Sequence, residues 1–437
     1  MDETLEVTRV HPREFFAVEK MERTWERRPL LACTGMDKAG SLQDVGGKEK
    51  RLSEMSGEEK VLWACFFVLG AGTLAGWNSL CAAVDFFRAH FEGRDAPVWL
   101  SLTFEVATMT SLGLLALGAD KVSSQTRFGV GFLTGTAVLG AIPLATSKLS
   151  GLAAWVVVVL LSAGLGLGNG MTEGSLYGLA AAASERKGVQ YAVPAQAGQG
   201  FVGVFVCGCR VVTKAMFPQD KQGSMVSAQV FFSLAALLSL VCAVVGHRVA
   251  SVVRGARTGE EAAAIHHLSW GEKAGVVREI GDFAQANVLV NGVSMMLFPA
   301  LATSAKSTTT EGLSVSWMAV VVVSCYSVAD TAGNLYGMDW VRLMAGGRRP
   351  SARELQASSV WRIVLVPIMM LSATERVKSD LFVVVVTCLL GFTNGALSVA
   401  CMSIAPDAVK EGGSYEIVQS RKEYGGGIIT VGLFVWG

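Results

Sequence analysis

The sequence predicts an all-α polytopic membrane protein with eleven transmembrane helices in a six-plus-five arrangement, and three observations carry that expectation. Its 437 residues are 51% hydrophobic and 17% charged, with a mean hydropathy of +0.45, which is too apolar for an ordinary soluble chain. The charges crowd into Met1 to Lys60, Arg248 to Glu279 and Asp339 to Glu354. Between them lie apolar runs, most of which reach the roughly 20 residues a helix needs to cross the hydrocarbon core. A net charge of +1 gives no reason to expect a nucleic-acid partner.

Residues 1–59 alternate in charge and have no apolar segment long enough for a signal peptide, so they read as a disordered cytosolic tail. A first group of six spans, within residues 60–247, is expected near Val61 to Phe87, Val98 to Leu117, Phe128 to Thr146, Gly151 to Ala182, Ala192 to Met216 and Val226 to Gly246. A cytosolic loop over 248–282 follows. Five further spans, within 283–437, are expected near Phe283 to Ser304, Leu313 to Tyr336, Val360 to Ser372, Leu381 to Ala405 and Tyr424 to Gly437. The ninth is short and must borrow flanking residues. The eleventh covers about 21 Å of a core about 30 Å thick, so either the chain lacks its natural end or this helix stops short. Pro299 and Pro367 are expected to kink the seventh and ninth spans.

With the tail inside, the inner connections hold 16 Lys and Arg and the outer ones 8. That bias predicts a cytosolic N-terminus and a multi-pass protein, with the plasma membrane as the expected location.

Polar groups inside the spans are the functional signal. Gly166, Gly170, Gly174 and Gly178 form a smooth stripe on the fourth span, and Asn169, Glu173 and Tyr177 form a polar row about 100° around the helix from it. All six asparagines, at 78, 169, 287, 291, 334 and 394, fall inside spans, an inversion of their usual preference for turns. Their plainer role is interhelical hydrogen bonding. Glu105, Glu173 and Asp330 lie deep, whereas Asp85, Arg210 and Arg362 lie nearer the ends, where long side chains reach the interface. An ionised carboxylate at mid-membrane costs several kcal/mol and is paired, hydrated or functional. Trp77, beside Asn78, is too deep for an interfacial belt and serves either as core packing or as a flat surface for a polar-edged ligand. Eight of the nine cysteines sit in apolar runs as small buried residues, and His266-His267 has no Cys or carboxylate partner nearby. No metal and no cofactor are expected.

Taken together, certain residues resemble the equilibrative nucleoside transporters, a eukaryotic family of which the chain looks like a divergent member. Gly170 to Gly178 with Gly198-Gln199-Gly200-Phe201-Val202-Gly203 is similar to their fourth and fifth helices, and Gly76-Trp77-Asn78 to their first-helix Pro-Trp-Asn. Phe298-Pro299, Asp330 with Gly333, Arg362 with Pro367 and Phe392-Thr393-Asn394-Gly395 continue the resemblance in order. It implies a fold similar to the major facilitator type, alternating around a midplane site. It also implies substrate contacts from Trp77, Glu173 and Asp330, with Asn78, Gln199 and Asn334 beside them. Gly76 stands where the family has Pro, Glu173 where better-known members have Gln, and Asn334 where they have Arg. The loss of that Arg weakens the expectation of ribose recognition and leaves Asp330 without a cation.

The leading expectation is a monomeric, facilitative carrier of purine nucleosides or nucleobases working by alternating access in a lipid bilayer. A proton-coupled symporter is the alternative, with Glu105, Glu173 and Asp330 as coupling candidates. A defective, non-transporting paralogue is a third reading. An enzyme is disfavoured, because all five histidines lie outside the spans or at their edges and no catalytic pairing is evident.

Overall fold

The computed structural model describes residues 54–118, 122–187, 189–218, 220–255, 268–304, 315–374, 376–377, 379–410 and 415–428. Its helices are α1 Gly57–Ala82, α2 Val84–His90, α3 Ala96–Gly118, α4 Ser124–Lys148, α5 Gly151–Lys187, α6 Ala192–Met216, α7 Lys221–Gly255, α8 Trp270–Leu297, α9 Val315–Met344, α10 Ala352–Trp361, α11 Leu365–Ala373, α12 Asp380–Ile404 and α13 Tyr415–Ile428. Among the described residues ten helical segments are long and apolar enough to cross a membrane, which makes this a multi-pass membrane protein. The tail to residue 53, His266-His267 and the last nine residues of the eleventh expected span lie outside the described residues.

Hydropathy located the spans, but several helices outrun them. Helix α7 continues to Gly255 and α8 begins at Trp270, so both reach into the expected 248–282 loop. Polar caps, which hydropathy cannot see, set such ends. Ser269 and Glu272 form a reciprocal capping box at the start of α8, as Ser56 and Glu59 do for α1. The ninth span does borrow its flank, running from Ala352 to Ala373 through a 3₁₀ turn at Arg362–Val364, one turn before Pro367. Pro299 does not kink the seventh span. Helix α8 has already ended at Leu297, and Pro299 lies in the turn leading to a 3₁₀ segment at Ala302–Ser304.

Glycine allows the closest helix pairs. A Cβ at Gly70 of α1 would collide with the Ala195 carbonyl of α6, and one at Gly198 with the Phe67 carbonyl, so these helices touch backbone to backbone. The stripe on α5 works similarly: Gly166 and Gly170 pack on α3, where Thr108 Oγ1 donates to the Gly166 carbonyl at 3.1 Å and Ser111 Oγ to that of Leu167 at 2.8 Å. Helix α6 also lies against α9, with Gly200 on Thr331 and Asn334, and Gly203 on Ser327.

The membrane-facing ends are tied differently on the two sides. On the side where α1 ends, at Ala82, the expectation that Asp85, Arg210 and Arg362 reach the interface fails for the first two, and Arg362 is likewise buried. Arg210 is 1% exposed and donates to both Asp85 oxygens, with Nη2 at 2.8 Å from Oδ2, and Lys214 Nζ lies 2.8 Å from the same oxygen. Lys214 also sits 4.8 Å above the Trp317 ring of α9. Nearby, Arg88 donates to the Thr303 carbonyl and hydroxyl, each at 3.1 Å. Burial alone would disfavour three charges here; pairing one carboxylate with two cations offsets that cost. On the side where α1 begins, Gly426 of α13 meets the Tyr177 carbonyl of α5.

Candidate functional site

Two polar groups, one on α5 and one on α9, repeat the same local design. In each, a carboxylate and an asparagine stand one helical turn apart, where side chains at i and i+4 meet. Asn169 Nδ2 donates to Glu173 Oε2 at 3.1 Å, and Asn334 Nδ2 donates to Asp330 Oδ2 at 3.1 Å. Both asparagines are buried, at 7% and 4% exposure, and among the described residues neither Oδ1 has a hydrogen-bond partner. Two acceptors are thus left open beside two carboxylates. Buried polar atoms are nearly always satisfied, so this arrangement is suited to receive N–H or O–H donors from outside the protein.

The α5 group extends into α6. The Tyr177 hydroxyl bonds the side-chain oxygens of Gln196 and Gln199, the latter at 2.6 Å, and Gln199 Nε2 donates to Thr73 Oγ1 of α1 at 3.1 Å. Gln199 therefore braces three helices. The α9 group extends into α12, where Asn394 Nδ2 donates to Asp330 Oδ1 at 2.9 Å. Tyr177 lies within electrostatic range of both Glu173 and Asp330, which brings the two groups to one region of the molecule.

Glu105 is in electrostatic range of Glu173, and it also lines a 760 Å³ cavity on the Ala82 side with Arg88, Arg94, Asp95, Met295 and Pro299. Glu105, Glu173 and Asp330 each keep part of their surface accessible, as residues lining a polar path would. Trp77 is 6% exposed and packs at 5.1 Å, tilted by 30°, on Phe104, the neighbour of Glu105. Asn78 bonds its own helix, Nδ2 to the Leu74 carbonyl at 2.9 Å, and its Oδ1 lies beside Gly203.

Sequence reasoning placed Asn169 and Tyr177 on the polar row of Glu173, and Asn394 inside a span, without naming any of the three as a substrate contact. The signal was present, since all three are polar residues inside spans, but only the fold shows which of them meet a carboxylate. Arg362 was read as an end residue. At 3% exposure it is buried and donates to Ser294, Thr393 and the carbonyls of Val290 and Leu390.

Residues 257–418 match the family model described as Nucleoside transporter. Equilibrative nucleotide transporter 1 of Arabidopsis thaliana is 25% identical over 399 residues, covering 85% of this chain and 82% of that protein. Among solved structures, the major facilitator superfamily proton:xylose symporter XylE superposes with a TM-score of 0.60 at 10% identity, covering 86% of this chain and 87% of its own. A mutant of the nucleoside transporter NupG superposes with a TM-score of 0.51 at 14% identity, covering 85% and 90%. The last two likenesses establish the fold as the major facilitator type, which with the family match is that of transporters and not of enzymes. A family-model match over residues 257–418, a relative aligned along most of the chain and a major facilitator-type fold agree on one conclusion: the chain is similar to the equilibrative nucleoside transporters.

Proposed function

We propose that this protein carries purine nucleosides or nucleobases across a membrane by facilitative alternating access, with no chemical step. The observation that carries the reading is the paired design of the site. Asn169 with Glu173, and Asp330 with Asn334, offer carboxylate and open amide oxygens and few free donors. A purine supplies amino and ring N–H donors, and a ribose supplies hydroxyls. In this reading Glu173 and Asn169 take the base edge, while Asp330 and Asn334 take the sugar or an equivalent polar group. Gln199 supports the first pair, and Trp77 with Asn78 shapes the nearby wall. Two carboxylates repel phosphate, so uncharged nucleosides are favoured over nucleotides, although the Arabidopsis relative is named for nucleotides.

Residues 60–247 and 283–437 form the two bundles that rock, with the side on which α1 begins facing the cytosol. The excess of Lys and Arg in the connections on that side supports this orientation. The neighbouring carboxylates Glu105 and Glu173 favour a second reading, in which a proton accompanies the substrate. Saturable uptake of labelled adenosine, inosine or hypoxanthine into proteoliposomes holding the full chain is expected, with AMP excluded. Absence of saturable uptake for all three would sink the proposal. Accumulation above equilibrium under an imposed proton gradient would select the second reading over the first.

A further inference from the structure

The two asparagines that hold Asp330 are fixed in different ways. Asn334 is anchored at one end only, through its amide nitrogen on Asp330 Oδ2 at 3.1 Å, and its Oδ1 is open. Asn394 is anchored at both. Its Nδ2 meets Asp330 Oδ1 at 2.9 Å, and its Oδ1 accepts from Ser294 Oγ at 2.6 Å. Ser294 is itself constrained, because Arg362 Nη2 lies 2.7 Å from the same hydroxyl oxygen.

Chemistry gives this chain of bonds a single direction. Arginine has donors and no acceptor, so it must occupy a lone pair of Ser294 Oγ. The one Ser294 proton is then delivered to Asn394 Oδ1. That turns the Asn394 amide nitrogen toward Asp330, which as a carboxylate accepts only. The orientation of the amide is thus dictated from both ends. Arg362 is held in place by Thr393 Oγ1 at 3.0 Å and the Leu390 carbonyl at 3.1 Å, as well as by the Val290 carbonyl, so the origin of the relay is rigid. Arg362 and Asp330 lie within electrostatic range of each other, and none of the four groups that Arg362 bonds is a carboxylate.

We propose that Ser294 and Asn394 are positioning residues that relay the polarity of Arg362 to Asp330 and hold it as the acceptor for a sugar hydroxyl, leaving Asn334 as the residue that turns to meet the ligand. This rests on the substrate reading above. The arrangement keeps a cation out of the site while still orienting the carboxylate. Its cost is a specific dependence on one serine proton, since hydrogen bonds to a charged acceptor are the strong ones.

The test is uptake of adenosine and of 2′,3′-dideoxyadenosine, which lacks the 2′ and 3′ hydroxyls, by the full chain carrying Ser294→Ala or Ser294→Thr, at matched protein levels in the membrane. Ser294→Ala removes the proton and frees the Asn394 amide to flip. It is expected to raise the adenosine KM about tenfold, with a much smaller change in kcat and in the dideoxyadenosine KM, and Ser294→Thr is expected to restore the wild-type values. A wild type that distinguishes the two nucleosides, beside a Ser294→Ala variant with unchanged or uniformly raised KM values, would overturn the relay and leave the substrate reading standing. A wild type with no saturable uptake of either would overturn both.

Discussion

Asp85 is the residue whose loss the structure prices most clearly. Its carboxylate, 6% exposed, faces Arg210 and Lys214, themselves 2% and 4% exposed at the side chain. Asp85→Asn keeps the volume and one acceptor but leaves two cations facing an uncharged amide. Opposite charges about 4 Å apart interact by about 4 kcal/mol at an effective dielectric near 20. The observed cost of orphaning a buried ion is about 3–5 kcal/mol. The two figures agree, and they amount to a third or more of a typical total stability of about 5–15 kcal/mol. The variant is therefore expected to melt several degrees lower in detergent, followed by fluorescence-detected size exclusion after stepwise heating. Adding Lys214→Met should recover part of the loss, because one of the two cations facing the amide is removed. If Asp85→Asn melts with the wild type, water reaches this cluster and the account of its burial is wrong.

Three further outcomes follow from named contacts. Gly198→Ala is expected to abolish folded protein, since its Cβ would strike the Phe67 backbone, and normal yield of monodisperse carrier would contradict the close α1–α6 approach. Arg421→Ala removes bonds of 2.8 and 2.9 Å to Glu279 and 3.0 Å to the Lys410 carbonyl, and should cost about 1–2 kcal/mol, read as faster hydrogen exchange confined to α13. Glu173→Gln replaces an acceptor by a mixed donor and acceptor and should shift preference among adenosine, inosine and guanosine by about tenfold; an unchanged competition series would remove Glu173 from the base subsite.

What could be read from the sequence divides along physical lines. Apolar runs are a local property, and the fifth span, Ala192–Met216, is recovered to the residue. Helix ends are set by polar capping and extension beyond the hydrocarbon, which is why α7 and α8 exceed their apolar runs. The value of a charge is not local at all. Asp85 and Arg210 lie 125 positions apart, and nothing in either neighbourhood announces the pairing that buries both. Glu173 and Asp330 were legible because a carboxylate in an apolar run is conspicuous. Asn394 was visible as an intramembrane asparagine, and its partner only through the packing of α9 on α12, where Gly395 meets the Asp330 carbonyl. Trp77 was singled out by its depth and by the Gly76-Trp77-Asn78 resemblance, and neither reveals that Phe104 packs on it.

The two ends of the molecule are fastened by different kinds of contact, and that difference bears on kinetics. On the Ala82 side the ties are side chains, Lys214 on Trp317 and Arg88 on Thr303, which separate by rotamer changes that take picoseconds to nanoseconds once unpacked. On the other side Gly426 rests on the Tyr177 backbone, with no side chain to swing aside, so parting it requires whole helices to translate, a microsecond-to-millisecond event. For the alternating cycle proposed above, the half-turnover that opens the end where α1 begins is therefore expected to be the slower one.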